Sequence, residues 1–152
     1  MIGYGRQSIS QEDIEAVVDA LSSDFLTQGP FVSQFETALA KYCQAKHAVT
    51  ACNGTAALHL ACLAMNITEK DSVWVSSISF VASANCARYC GANIEFIDID
   101  PSTGLICLRH LESKLRATQK PPKALIVVHI GGQACDMKQI AEICAPYDIK
   151  II

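Results

Sequence analysis

The sequence predicts an α/β fold, a mostly parallel sheet with helices on both faces. Three observations predict it. Short runs of strand-forming residues alternate with segments of helical period. The run KALIVVHI at 123–130 is apolar at successive positions, as in a strand covered on both sides. The segments between strands are long enough to carry a crossover helix. A chain of 152 residues, 51% of them hydrophobic, can bury a core of that kind.

The elements follow in order. Ser10 is an N-cap with Asp13 three residues on, ahead of Ile14, Val17, Val18 and Leu21, which predicts an amphipathic helix over 11–22. DFLTQGP at 24–30 is a connector, and Pro30 suits the first turn of a second helix with Phe31, Phe35, Leu39 and Tyr42 on its apolar face. HAVTAC predicts a strand over 47–52, Asn53-Gly54 a turn, and TAALHLACLAM a buried helix. Strands are predicted over 72–77, 94–98, 123–129 and 149–152. FVASANCARYC is a helix that Gly91 ends as its C′ residue. LRHLESKLRA is an exposed helix, and a last helix spans 136–145. The organisation expected is an N-terminal helical segment, 1–46, followed by a ligand-binding domain, 47–152, that is incomplete, because the chain stops at Ile152 on a strand just begun.

Composition excludes several classes. A net charge of −3, from 12 basic and 15 acidic residues, does not suit a polyanion binder. The apolar run 55–65 is interrupted by His59 and is far short of the ~20 residues a bilayer requires. The opening MIGYGRQSIS has no apolar signal core, so a cytoplasmic protein is expected. The eight cysteines form no C-x-x-C pair and are expected to be reduced, core-filling thiols rather than metal ligands.

Four places carry chemistry. Asn53-Gly54-Thr55-Ala56-Ala57-Leu58 lies between a predicted strand and a helix, where free N–H groups and the helix dipole suit a phosphate monoester. Asn-Gly before a helix also serves simply as turn and cap. Phe80, in Ser79-Phe80-Val81-Ala82, follows a strand and is placed to cover a flat heteroaromatic ring, or else to start a helix from the core. His129-Ile130-Gly131-Gly132-Gln133 follows another strand, with glycines that allow close approach and a Gln amide, or is a flexible connector. The turn Thr27-Gln28-Gly29-Pro30 is the fourth. The three strand-end features are expected on one sheet edge.

These residues resemble the DegT/StrS family of nucleotide-sugar aminotransferases. The matching stretches are Tyr4–Ile9, Ser23–Pro30, Asn53–Leu60, Ile78–Asn85, Phe96–Pro101 and Val128–Gln133, in family order. FLTQGP and FVASANCARYCGA point to the branch that serves pseudaminic acid biosynthesis. The resemblance implies part of the large domain of the aspartate-aminotransferase fold, a homodimer, and pyridoxal 5′-phosphate as cofactor. It implies that Gly54, Thr55 and Ala56 hold the cofactor phosphate, that Phe80 stacks on the ring and that Gln133 lies near the ring's polar edge. Tyr4, Arg6, Thr27 and Gln28 are expected to meet the nucleotide-sugar substrate, with an amino acid, Glu, as amino donor. Gly3 departs from the Pro common at that place.

The family's Schiff-base Lys is expected beyond Ile152, so no catalytic residue is assigned in this chain, and no metal. The fragment alone is expected to show no transaminase activity. The alternatives are a sugar dehydratase relative, with His in place of that Lys, or a non-catalytic remnant. Neither nucleic acid nor membrane is an expected partner.

Overall fold

The computed structural model describes residues 5–152. The chain divides into two compact units after Thr50.

The first unit contains α1 (Gln11–Leu21) and α2 (Pro30–Tyr42). Ser10 caps α1 reciprocally. Its hydroxyl accepts from the Asp13 N–H at 3.3 Å, and the Asp13 carboxylate accepts from the Ser10 N–H at 2.8 Å. Pro30 opens α2, where its missing N–H would have no intrahelical partner anyway. The apolar faces that the sequence assigns to both helices exist, but Val17, Leu21 and Phe35 remain more than half exposed.

The expected strand over 47–52 is absent. These residues are irregular, and Val49 is 79% exposed. The composition suits a strand, but a strand needs a ladder, and none of the described strands pairs with this segment. What holds Thr50 is the Glu36 carboxylate, which accepts its N–H at 2.8 Å and its hydroxyl at 2.9 Å. Those two bonds pull the Glu36 carboxyl below its ordinary range.

The second unit is a layered α/β domain. Its helices are α3 (Gly54–Ala64), α4 (Ala82–Tyr89), α5 (Leu108–Ala117) and α6 (Met137–Cys144), and its strands are β1 (Ser72–Ser76), β2 (Asn93–Ile97), β3 (Ala124–Ile126) and β4 (Lys150–Ile151). All pairings are parallel, in the order β2-β1-β3-β4. Side chains alternate across β1. Val73 and Val75 pack with Cys62 of α3 and with Cys86 and Ala87 of α4. Trp74 packs on the other side with Leu111 and Leu115 of α5 and Ile140 and Cys144 of α6. Both faces of β1 are therefore covered, as its apolar run requires, whereas Phe96 on the edge strand β2 stays half exposed.

Three expectations need correction. The predicted strand 123–129 is only three residues long. Its ladder ends where Val127 N–H donates to Ile152 O, and a 3-10 turn at Ile130–Gly132 follows. The helix expected to be buried, α3, is buried on one side only, with Leu60 and Leu63 nearly half exposed. Of the eight cysteines, Cys62, Cys86, Cys135 and Cys144 are buried in the two core clusters, whereas Cys43 and Cys52 are exposed and belong to neither.

Gly91 ends α4 as expected. At φ +79° it lets its own N–H reach Arg88 O and the Ala92 N–H reach Ala87 O.

Candidate cofactor cradle

The strand order creates a crevice. The chain leaves β1 through α4 to reach β2 on one side, and leaves β3 through α6 to reach β4 on the other. α4 and α6 pack on opposite faces. The segments leaving the carboxyl ends of β1 and β3 therefore part between two neighbouring strands, the place where open α/β sheets take ligands.

Two of the sequence-predicted features flank this crevice. After β1, Phe80 is 75% exposed and Val81 61%, on the turn entering α4. The position is not that of a core phenylalanine, since the aromatic face is left to solvent. After β3, Gly131 and Gly132 have φ of 61° and 80°, conformations that L side chains adopt only with strain. They deliver Gln133, an exposed residue whose side-chain amide has no hydrogen-bond partner among the described residues. His129 helps fix the loop, with its Nδ1 accepting the Cys135 N–H at 3.2 Å.

The third feature is the N-terminus of α3. Asn53 is extended and caps the helix, its Oδ1 accepting the Ala56 N–H at 2.9 Å. That donor is thereby occupied. The N–H groups of Gly54 and Thr55 have no acceptor among the described residues. A Cβ on Gly54 would meet nothing within 4 Å, so the backbone there is open to close approach. The far end of α3 is anchored at the strands' N-terminal edge, where Lys123, just before β3, donates its Nζ to Asn66 O at 2.6 Å. α3 lies over the sheet through Leu58 and Cys62, so its N-terminus, ~16 Å away, points from that edge toward the carboxyl ends.

The residues of the connector lie in the first unit. Arg6, Thr27 and Gln28 are exposed there. Gln28 adopts φ 53°, and a Cβ on Gly29 would meet Phe25 O at 2.7 Å, so the turn requires Gly at 29. Ser23 Oγ donates to Ala20 O and Phe25 O and shapes the same turn. Tyr4 lies outside the described residues.

Sequence reasoning missed the anchor at the opposite edge. Asp71, ahead of β1, accepts from Thr68 N–H at 2.9 Å, Thr68 Oγ1 at 3.1 Å and Lys123 Nζ at 3.1 Å. Burial alone would raise its carboxyl, but these bonds outweigh it and the net shift is downward. A Thr-x-x-Asp spacing before a strand was the available signal. The described residues contain no group of three His, Cys, Asp or Glu placed to hold a metal ion, and no helix long and apolar enough to cross a membrane.

The fold is a doubly wound sheet with an open helix N-terminus and an exposed aromatic beside its crevice. The family comparison is more specific. The model of the DegT/DnrJ/EryC1/StrS aminotransferase family matches residues 7–152, and the chain belongs to that family. The chain is 40% identical over 152 residues to a UDP-4-amino-4,6-dideoxy-N-acetyl-beta-L-altrosamine transaminase of Campylobacter jejuni, covering all of this chain and 40% of the relative. It is 39% identical over 137 residues to a GDP-perosamine synthase of Caulobacter vibrioides, covering 90% of this chain and 36% of the relative. Among solved structures it superimposes on a sugar aminotransferase of Streptococcus pneumoniae in its PLP form, with a TM-score of 0.88 and 26% identity, over 98% of this chain and 38% of the other. The chain thus spans about 40% of the length of the curated relatives it matches.

Proposed function

We propose that this chain forms the cofactor cradle of a pyridoxal-phosphate-dependent transaminase that moves an amino group from an amino acid, Glu, to a 4-keto nucleotide sugar. The observation that carries the reading is the pairing of two unpartnered α3 amides with an exposed Phe80 beside the β1/β3 crevice. Family membership supports it.

The residues present fit the cofactor. Gly54 and Thr55 N–H groups, with the Thr55 hydroxyl, would hold the phosphate, aided by the positive end of the helix dipole. Ala56 contributes through the cap, its N–H fixing Asn53 and so the approach angle of the turn. Phe80 would lie on the ring and exclude water from one face, and Gln133 would offer its amide at the ring's polar edge. Pyridoxal phosphate, when bound, supplies an electron sink that weakens the bond to hydrogen at the amino-bearing carbon. Tyr4, Arg6, Thr27 and Gln28 are the proposed sugar-nucleotide contacts. Resemblance to the altrosamine transaminase supports a UDP-sugar substrate. A role in pseudaminic acid biosynthesis, a homodimeric assembly and a cytoplasmic location belong to the same proposal.

The test compares pyridoxal phosphate binding by calorimetry in the wild-type chain, Gly54→Pro and Phe80→Ala. Proline is tolerated at the first helical position and removes one donor there, so Gly54→Pro should keep the fold and weaken binding by about tenfold, one charge-assisted hydrogen bond. Phe80→Ala should weaken pyridoxal phosphate but not inorganic phosphate. Unchanged affinity in both variants would overturn the reading.

A further inference from the structure

Two buried thiols meet where α3 packs on α4. Cys62 and Cys86 are both 0% exposed, and the Cys62 thiol donates to Cys86 Sγ across 3.7 Å. The Cys86 thiol in turn donates to Ser83 O at 3.3 Å. Ile67, Val73, Val75, Ala87 and Ala92 close around the pair, with Cys90 partly buried at its side. The bond from Cys62 favours the Cys86 thiolate, as do the N–H groups of Ala87 and Cys86, and together they outweigh burial and lower it, while Cys62, the donor, is pushed up. Neither sulfur has a role in the cradle.

A disulfide requires an S–S distance of ~2.05 Å, so the two sulfurs close by ~1.7 Å on bonding. We propose that Cys62 and Cys86 form an oxidisable dithiol, a redox modification site that ties the helix carrying the Asn53–Thr55 turn to the helix that follows Phe80, with hydrogen peroxide as the oxidant. The peroxide molecule is close to water in size, and Cys90, packed against the same cluster, is partly exposed.

The chemistry balances. Cys86 sulfur bonds to one peroxide oxygen, the O–O bond breaks, and the departing hydroxide takes the thiol proton to leave water. Cys62 sulfur then bonds to Cys86 sulfur, the S–O bond breaks, and the second hydroxide takes the Cys62 proton. The two sulfurs lose two electrons in all, and the peroxide gains them as two waters.

The test treats the reduced 152-residue chain with hydrogen peroxide, blocks the remaining thiols and maps tryptic peptides without reduction. Trypsin separates the sulfurs: Cys62 falls in residues 47–70, Cys86 in 71–88 and Cys90 in 89–109. The expected product joins 47–70 to 71–88, lighter by two hydrogens. Cys52 shares the first peptide, so the link should persist in Cys52→Ser and vanish in Cys62→Ala. A link from 71–88 to 89–109, oxidation confined to the exposed Cys43 and Cys52, or a 47–70 to 71–88 link that forms only in urea would each overturn the proposal.

Discussion

Gly54 and Gly91 show how one residue type serves opposite ends of a helix. Gly91 sits at φ +79°, and an added Cβ would meet Glu69 Cβ at 3.2 Å. Gly91→Ala should therefore cost about 1–2 kcal/mol, read as a lower urea midpoint at unchanged slope. Gly54 faces open space, so Gly54→Ala should leave stability within about 0.5 kcal/mol of wild type. The aromatic residues divide in the same way. Trp74→Ala opens the core cluster and should cost about 3–5 kcal/mol, whereas Phe80→Ala, at a position 75% exposed, should cost less than about 0.5 kcal/mol. A strong destabilisation by Phe80→Ala would show the residue to be part of the core. Gly91 was legible in the sequence because a C′ glycine follows directly from the helix ahead of it. The exposure of Phe80 was not, because it depends on where the sheet leaves the chain.

Helices were more legible than strands, for a physical reason. A helix satisfies its backbone within itself, so local signals such as Ser10 with Asp13, Pro30 and Asp136 fix its ends. A strand depends on a partner elsewhere. HAVTAC has strand composition and no ladder, and the long run from Lys123 supports only the three residues that find neighbours. The turn entering β1 is held instead by charge. Asp71 is lowered in the folded chain, so its contribution is fully present above the ordinary carboxylate range and is lost as pH falls through the depressed folded value. Urea unfolding measured from neutral pH down to about pH 3 should show that loss in wild type. Asp71→Asn should start about 1–2 kcal/mol less stable and lack the corresponding part of the slope. Parallel curves for the two proteins would contradict this assignment.

At the scale of the whole molecule, the alternation of helices and strands revealed the layers, and the strand-end motifs named the candidate cradle. The order β2-β1-β3-β4, which sets the loops after β1 and β3 on either side of one crevice, could not be read from local sequence. It arises from pairings such as Val75 with Ile126, distant in the chain. The capped Ala56 N–H, which leaves Gly54 and Thr55 as the open donors, is by contrast a local contact with Asn53, three residues away. The central claim is that these donors and the crevice loops hold one ligand. Amide chemical shifts of the isotopically labelled chain, followed during titration with pyridoxal phosphate, pyridoxal and inorganic phosphate, test it most directly. Pyridoxal phosphate should move Gly54 and Thr55 together with residues 78–81 and 131–133, and inorganic phosphate should move Gly54 and Thr55 alone. Pyridoxal, without the phosphate, should leave those two amides in place. Saturable shifts confined to other residues, or pyridoxal phosphate leaving Gly54 and Thr55 unmoved, would contradict the account.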